Sequence, residues 1–125
     1  MTLELLNVSG GVMSAEGSLR DNTLSVLFAG TADSLSRSEL ETFVKQLHSE
    51  AVRLAVPTVA IDLRELEFMN SSCFKVFVSW LAQLRDLETS KQYRIKIRSN
   101  PSLLWQRRSL AALSCFAVDL VTIET

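Results

Sequence analysis

The chain of 125 residues has 13 Lys and Arg against 14 Asp and Glu, and 47% of its residues are hydrophobic. This length and composition predict one domain, residues 1–125, with a single buried core. A formal charge of -1 excludes the strongly basic class of protein that binds nucleic acid or an anionic membrane surface.

Targeting and metal-binding signals are missing from the sequence. No apolar stretch reaches the roughly 20 residues of a membrane span, and no basic segment precedes an apolar run at the start, so we expect a cytoplasmic protein. Cys73, Cys115 and His48 lie too far apart for a metal-ligand cluster. Neither a phosphate-binding Gly-rich loop nor a dinucleotide fingerprint is present, so we expect no cofactor.

The N-terminal region favours strands. Residues 3–8 and 12–19 flank Gly10-Gly11 and predict edge strands or a hairpin. Residues 24–29 follow the turn-like pair Asp21-Asn22 and predict a further strand.

A helix is predicted next, because apolar residues recur about every 3.6 positions up to Pro57. Ser36 and Glu39 have the spacing of a capping box, and Leu35 and Leu40 that of a hydrophobic staple around it. The apolar stripe consists of Leu40, Phe43, Val44, Leu47, Ala51 and Leu54.

The C-terminal half alternates strands and helices. A central strand covered on both faces is predicted at 58–63, because the segment is apolar except at Asp62. A helix is predicted at 71–87, a strand at 93–98, a helix from Asn100-Pro101 to 113 and a strand at 118–123. This order predicts an α/β domain with a mixed, mostly parallel sheet of four to six strands and three to four helices. The inner stripe of the helix at 71–87 is Phe74, Phe77, Val78, Leu81 and Leu84.

The polar residues Asn70-Ser71-Ser72 open that helix directly after a buried strand. Asn and Ser at this place accept hydrogen bonds from free backbone N–H groups, which is a sufficient structural role. The same helix end favours an anion, so a phosphate on a serine here would be tolerated.

This segment resembles the central signature of STAS domains, in which a strand ending in Asp-Leu leads to Asp-Ser-Ser-Gly at a helix start. Here the strand ends in Asp62-Leu63, and Asn70 and Cys73 stand where the family has Asp and Gly. The resemblance runs from about residue 24 to residue 123. It implies a bacterial anti-sigma-factor antagonist whose phosphorylation site is Ser71.

The resemblance also implies how such a protein works. The unphosphorylated form binds a serine kinase that is also an anti-sigma factor, and the phosphorylated form is released. Asn70 keeps the capping role of the family's Asp. Relatives with Asn-Thr-Ser-Ser at this place, followed by a lysine close to the position of Lys75, regulate a nucleotide-messenger cyclase, so the downstream target stays open.

We predict a non-catalytic protein-binding surface at this helix. It consists of Asn70, Ser71, Ser72, Cys73, Val76 and Trp80. Val76 and Trp80 lie on a second apolar stripe, which is either an exposed interaction patch or is covered by a neighbouring element. The alternatives to a switch are a constitutive scaffold subunit and a thiol sensor at Cys73.

Other polar groups have simpler interpretations. Arg94, Lys96 and Arg98 share one strand face, which is either a solvated surface or an anion site together with Arg107-Arg108. His48 is interpreted as a surface residue. Asp62 and Glu65 lack a partner for acid–base chemistry. Whether the chain forms a homodimer through its N-terminal strands stays open.

Overall fold

The computed structural model describes residues 8–10, 13–33 and 36–124, which form a mixed sheet with helices packed against it. Within these residues the helices are α1 (Arg37–Leu54), α2 (Ser71–Asp86) and α3 (Leu104–Phe116). The predicted α/β architecture with a mostly parallel sheet is confirmed. The six described strands are β1 (Val8–Gly10), β2 (Met13–Arg20), β3 (Thr23–Ala32), β4 (Thr58–Met69), β5 (Arg94–Arg98) and β6 (Val121–Glu124).

The strand order across the sheet follows the order along the chain, from β1 to β6. The pairs β1–β2 and β2–β3 are antiparallel, and β3 to β6 are parallel. Asp21 and Asn22 form the β2–β3 turn with φ angles of 52° and 61°. Short polar side chains tolerate this left-handed conformation, so the predicted turn is confirmed. Residues 3–7 and Leu35 lie outside the described residues.

The core lies on one face of the sheet. The Phe28 ring of β3 packs edge-on against Phe43 of α1 at 5.7 Å and against Phe77 of α2 at 5.8 Å between centroids. Leu110 and Leu113 join the same core from α3. The strand residues between the core positions point to the opposite face, which no described helix covers.

The start of α1 differs from the prediction. Ser36 is buried and in helical conformation, and its hydroxyl donates to Asp33 Oδ1 at 3.3 Å instead of capping the helix. The predicted capping box with Glu39 is therefore wrong. The helix ends as predicted before Pro57, with Ala55 in left-handed conformation at φ 53°.

The bounds of β4 and α3 also differ from the prediction. β4 continues six residues beyond the predicted end at Leu63, up to Met69, where it pairs with the end of β3. α3 begins at Leu104 and not at Pro101, because Asn100 Oδ1 accepts hydrogen bonds from the Ser102 N–H at 3.0 Å and hydroxyl at 2.6 Å. This local turn holds the Asn-Pro-Ser segment outside the helix.

Gln106 joins these two regions in the interior. It is 1% exposed, and its Nε2 donates to the carbonyl oxygens of Leu63 at 2.6 Å and Leu66 at 3.2 Å. Its Oε1 accepts from the Asn100 N–H at 2.7 Å. One buried amide therefore satisfies backbone groups of β4 where the strand register shifts and of the turn before α3.

Candidate protein-binding site at the start of α2

Asn70 connects the end of the sheet to α2. Its N–H donates to the Ala32 carbonyl at 2.9 Å, and its Oδ1 accepts from the Cys73 N–H at 2.9 Å. Its extended backbone, with φ -80° and ψ 170°, is typical of a helix N-cap. The predicted capping role of Asn70 is therefore confirmed, and the first turn of α2 is held at the end of β3.

Ser71 and Ser72 follow this cap with different exposure. The Ser71 side chain is exposed, whereas Ser72 is half-buried. Within the described residues neither hydroxyl makes a hydrogen bond, and the N–H groups of both serines also lack protein partners. Free N–H groups and the positive end of the helix dipole surround the Ser71 hydroxyl with an environment that favours negative charge.

Cys73 belongs to the interior beneath this turn. It is 0% exposed, and its Sγ–H donates to the Asp33 carbonyl at 3.2 Å. Burial, followed by the negative charge of Asp33, raises the pKa of the Cys73 thiol, and Arg37 opposes this shift. The environment disfavours the reactive thiolate that a redox sensor needs.

Val76 and Trp80 are covered by neighbouring elements. Their exposed fractions are 7% and 2%, so the alternative of an exposed apolar patch is corrected. α2 has two apolar faces because α1 packs along one side of it while the sheet lies under the other. Of the predicted inner stripe, Phe77, Leu81 and Leu84 are buried and Phe74 and Val78 are half-buried.

A buried hydrogen-bonded chain lies behind Trp80. The Trp80 indole N–H donates to the Tyr93 hydroxyl oxygen at 2.6 Å, and the same oxygen lies 2.7 Å from His48 Nδ1. Since the indole only donates, the Tyr93 proton is free to bond to an unprotonated Nδ1. His48 is thus half-buried and bonded, in contrast to the predicted surface residue, and burial lowers its pKa.

Two exposed residues lie close to Ser71 along the chain. Phe68, at the end of β4, is 47% exposed and lies three residues before Ser71. Lys75 is exposed one turn further along α2 and lines a groove of about 300 Å³ between α1 and α2, together with Arg37. Sequence reasoning did not include Phe68, although a large aromatic residue next to a helix cap was a usable signal.

The remaining predicted polar groups lie elsewhere. Arg107 and Arg108 are exposed on α3, and the cations of β5 are exposed on the sheet. Asp62 accepts two hydrogen bonds from the Arg64 guanidinium. These hydrogen bonds are the main reason why the pKa of Asp62 is lowered. Among residues 8–10, 13–33 and 36–124 no group of His, Cys, Asp and Glu is arranged to hold a metal ion.

The fold resembles that of one solved regulatory protein. The crystal structure of an anti-sigma factor antagonist from Mycobacterium paratuberculosis superposes with a TM-score of 0.65 over 90% of this chain and 85% of that chain, at 16% sequence identity. No family model and no curated protein matches the sequence. The comparison shows that the chain has a STAS-like fold, as the sequence resemblance predicted. No described helix is long and apolar enough to cross a membrane.

Proposed function

We propose that the protein is a non-catalytic signalling protein in which phosphorylation of Ser71 controls binding to a protein partner, in the manner of an anti-sigma-factor antagonist. The observation that carries this proposal is the exposed Ser71 hydroxyl in the first turn of α2, on a STAS-like fold. The partner is a serine kinase with anti-sigma-factor activity or a related signalling protein, and the protein acts in the cytoplasm.

The binding surface of this proposal consists of Asn70, Ser71 and Ser72, extended by Phe68 and Lys75. Phe68 supplies an exposed aromatic contact, and aromatic residues are enriched among the residues that dominate protein interfaces. The buried Cys73 supports this surface from below, and Val76 and Trp80 line the floor of the groove beside Lys75.

Phosphorylation would change this surface without unfolding it. A phosphoserine adds about 1.5 to 2 negative charges at neutral pH. The helix end tolerates this charge within the free protein. In a packed interface the phosphate must be desolvated, and it repels acidic groups of the partner, so the complex dissociates.

The proposal is tested first by peptide mass spectrometry of the protein purified from its native cells, in which we expect one phosphate on Ser71. The partner captured by the wild-type protein is then measured with Ser71→Glu and with Ser49→Glu, a matched change on the exposed side of α1. We expect Ser71→Glu to lose the partner and Ser49→Glu to retain it. Equal retention by both variants contradicts the switch.

A constitutive scaffold is the second candidate, favoured by the Asn70 cap, which gives this segment a complete structural role. It predicts that Ser71 stays unmodified under all growth conditions. It also predicts that Ser71→Ala and wild type bind the partner equally in the presence of ATP.

A further inference from the structure

The face of the sheet opposite the helices, here called the open face, has an ordered arrangement of side chains. Strand register places its residues in rows that cross the sheet from β2 to β6. The first row contains Glu16, Leu27, Asp62, Arg98 and Glu124. The second contains Ser18, Ser25, Ala60, Lys96 and Thr122, and the third Arg20, Thr23, Thr58 and Arg94.

The cations of β5 are not neutralised equally. Arg98 lies between Asp62 and Glu124 on the neighbouring strands. Lys96 instead has Ala60 and Thr122 beside it, and Arg94 has Thr58, while none of the three cations forms an ion pair with a described residue. The second and third rows contain no acidic residue, so their positive charge is unopposed there.

Small side chains leave room beside these cations. Gly17, Ser18, Ser25 and Ala60 line a hollow of about 690 Å³ on the open face, and Lys96 and Arg98 lie along its side. The acidic side chains that line the same hollow, Glu16, Asp62 and Glu124, all belong to the first row, beside Arg98, so the part next to Lys96 has no carboxylate. The hydroxyl groups of the serines can donate hydrogen bonds to carboxylate or carbonyl oxygens. Large apolar side chains are scarce on the rows, where Leu27 alone is of this type.

We propose that the open face binds an acidic segment of a partner protein, which lies in extended conformation along β5. Arg94, Lys96 and Arg98 point to one side at alternate positions, about 7 Å apart. An extended acidic segment repeats its same-side carboxylates at the same spacing, so two of them match Arg94 and Lys96, whose rows contain no acidic residue. A compact anion contacts only part of this line of cations along β5.

The charge of the open face also argues against a second copy of the chain as the occupant. Asp62 forms an ion pair with Arg64. The other charged residues in the rows of the open face are four cations, on β2 and β5, and the two acidic residues Glu16 and Glu124. Two such faces repel each other, although the whole chain has a formal charge of -1. The inference does not depend on Ser71, which lies at the start of a helix on the other side of the sheet.

The test uses a hexaglutamate peptide as the probe, titrated into the full chain and followed by backbone amide NMR shifts and calorimetry. We expect shifts concentrated in β2 to β5. Arg94→Gln/Lys96→Gln should weaken binding about tenfold, because it removes two charge-assisted contacts. The control Arg107→Gln/Arg108→Gln makes the same charge change on α3 and should bind like wild type.

Several outcomes would overturn the proposal. Equal weakening by both double variants would show that only net charge attracts the peptide. Displacement of hexaglutamate by inorganic phosphate at a lower concentration, with the same amide shifts, would indicate a small-anion site. A dimer seen in sedimentation that is dissociated by Arg94→Gln/Lys96→Gln would indicate a second copy of the chain as the occupant.

A charge-preserving variant controls for folding. Arg94→Lys/Lys96→Arg should bind hexaglutamate like wild type, which excludes a folding defect as the cause of weaker binding in Arg94→Gln/Lys96→Gln.

Discussion

The hydrogen-bonded chain behind α2 predicts a measurable cost for removing one oxygen atom. In Tyr93→Phe the Trp80 indole N–H loses its acceptor, while both residues are only 2% exposed. An unsatisfied buried donor costs about 1–3 kcal/mol, so we expect the free energy of unfolding to fall by about 2 kcal/mol at neutral pH. For a domain of this size the melting temperature should fall by about 8 °C.

Urea denaturation monitored by circular dichroism measures this change, and a double-mutant cycle assigns it. Trp80→Phe removes the indole donor and leaves a cavity. In the Trp80→Phe background, Tyr93→Phe should therefore lower the free energy of unfolding by at least about 1 kcal/mol less than it does in wild type. A loss under about 0.5 kcal/mol for Tyr93→Phe, or additive effects in the cycle, would show that Tyr93 is not the acceptor the buried indole depends on.

Three further predictions concern the pH response and two buried contacts. Burial lowers the pKa of His48 in the folded state, so below its ordinary pKa the unfolded chain binds more protons than the folded one. The contribution of neutral His48 to the free energy of unfolding is therefore complete above about pH 6.5 and is lost as pH falls. Urea midpoints should therefore decline between pH 7.5 and 5.5 more in wild type than in His48→Gln, and equal declines would refute this. Asn70→Ala should cost about 1 kcal/mol of unfolding free energy and Asn70→Asp almost nothing, and a similar loss in both would contradict the cap. Gln106→Leu should cost about 1–3 kcal/mol by leaving the Leu63 carbonyl without its partner, with Gln92→Leu, at a half-buried amide, as the milder control.

The sequence predicted the order of elements well because periodicity reports burial. Alternation in 93–98 placed Ile95 and Ile97 in the core, and a spacing of 3.6 residues placed Phe43 and Leu47 on the buried side of α1. The pair Asp21-Asn22 identified the hairpin turn from local preference alone. In each case the deciding interaction lies within a few residues of the chain.

The errors have the opposite cause. Val76 and Trp80 could be assigned to the core only by knowing that α1 lies beside α2, which is a tertiary fact. Ser36 bonds to Asp33 instead of capping α1, and Gln106 holds a strand distant in sequence. The prediction that the strand at 58–63 is covered on both faces is also wrong, because Thr58, Ala60 and Asp62 on the open face are only half-buried.

The sequential strand order has a consequence for how the fold is assembled. Each of the six described strands pairs with its neighbours along the chain, so none of these six depends on a segment beyond the next helix and strand. Such local connectivity shortens the loops that must close before pairing stabilises them, and it favours fast folding. The β2–β3 hairpin can form first and serve as a template to which each following helix and strand is added. During synthesis on the ribosome, the sheet can therefore grow in one direction, strand by strand, as the chain emerges.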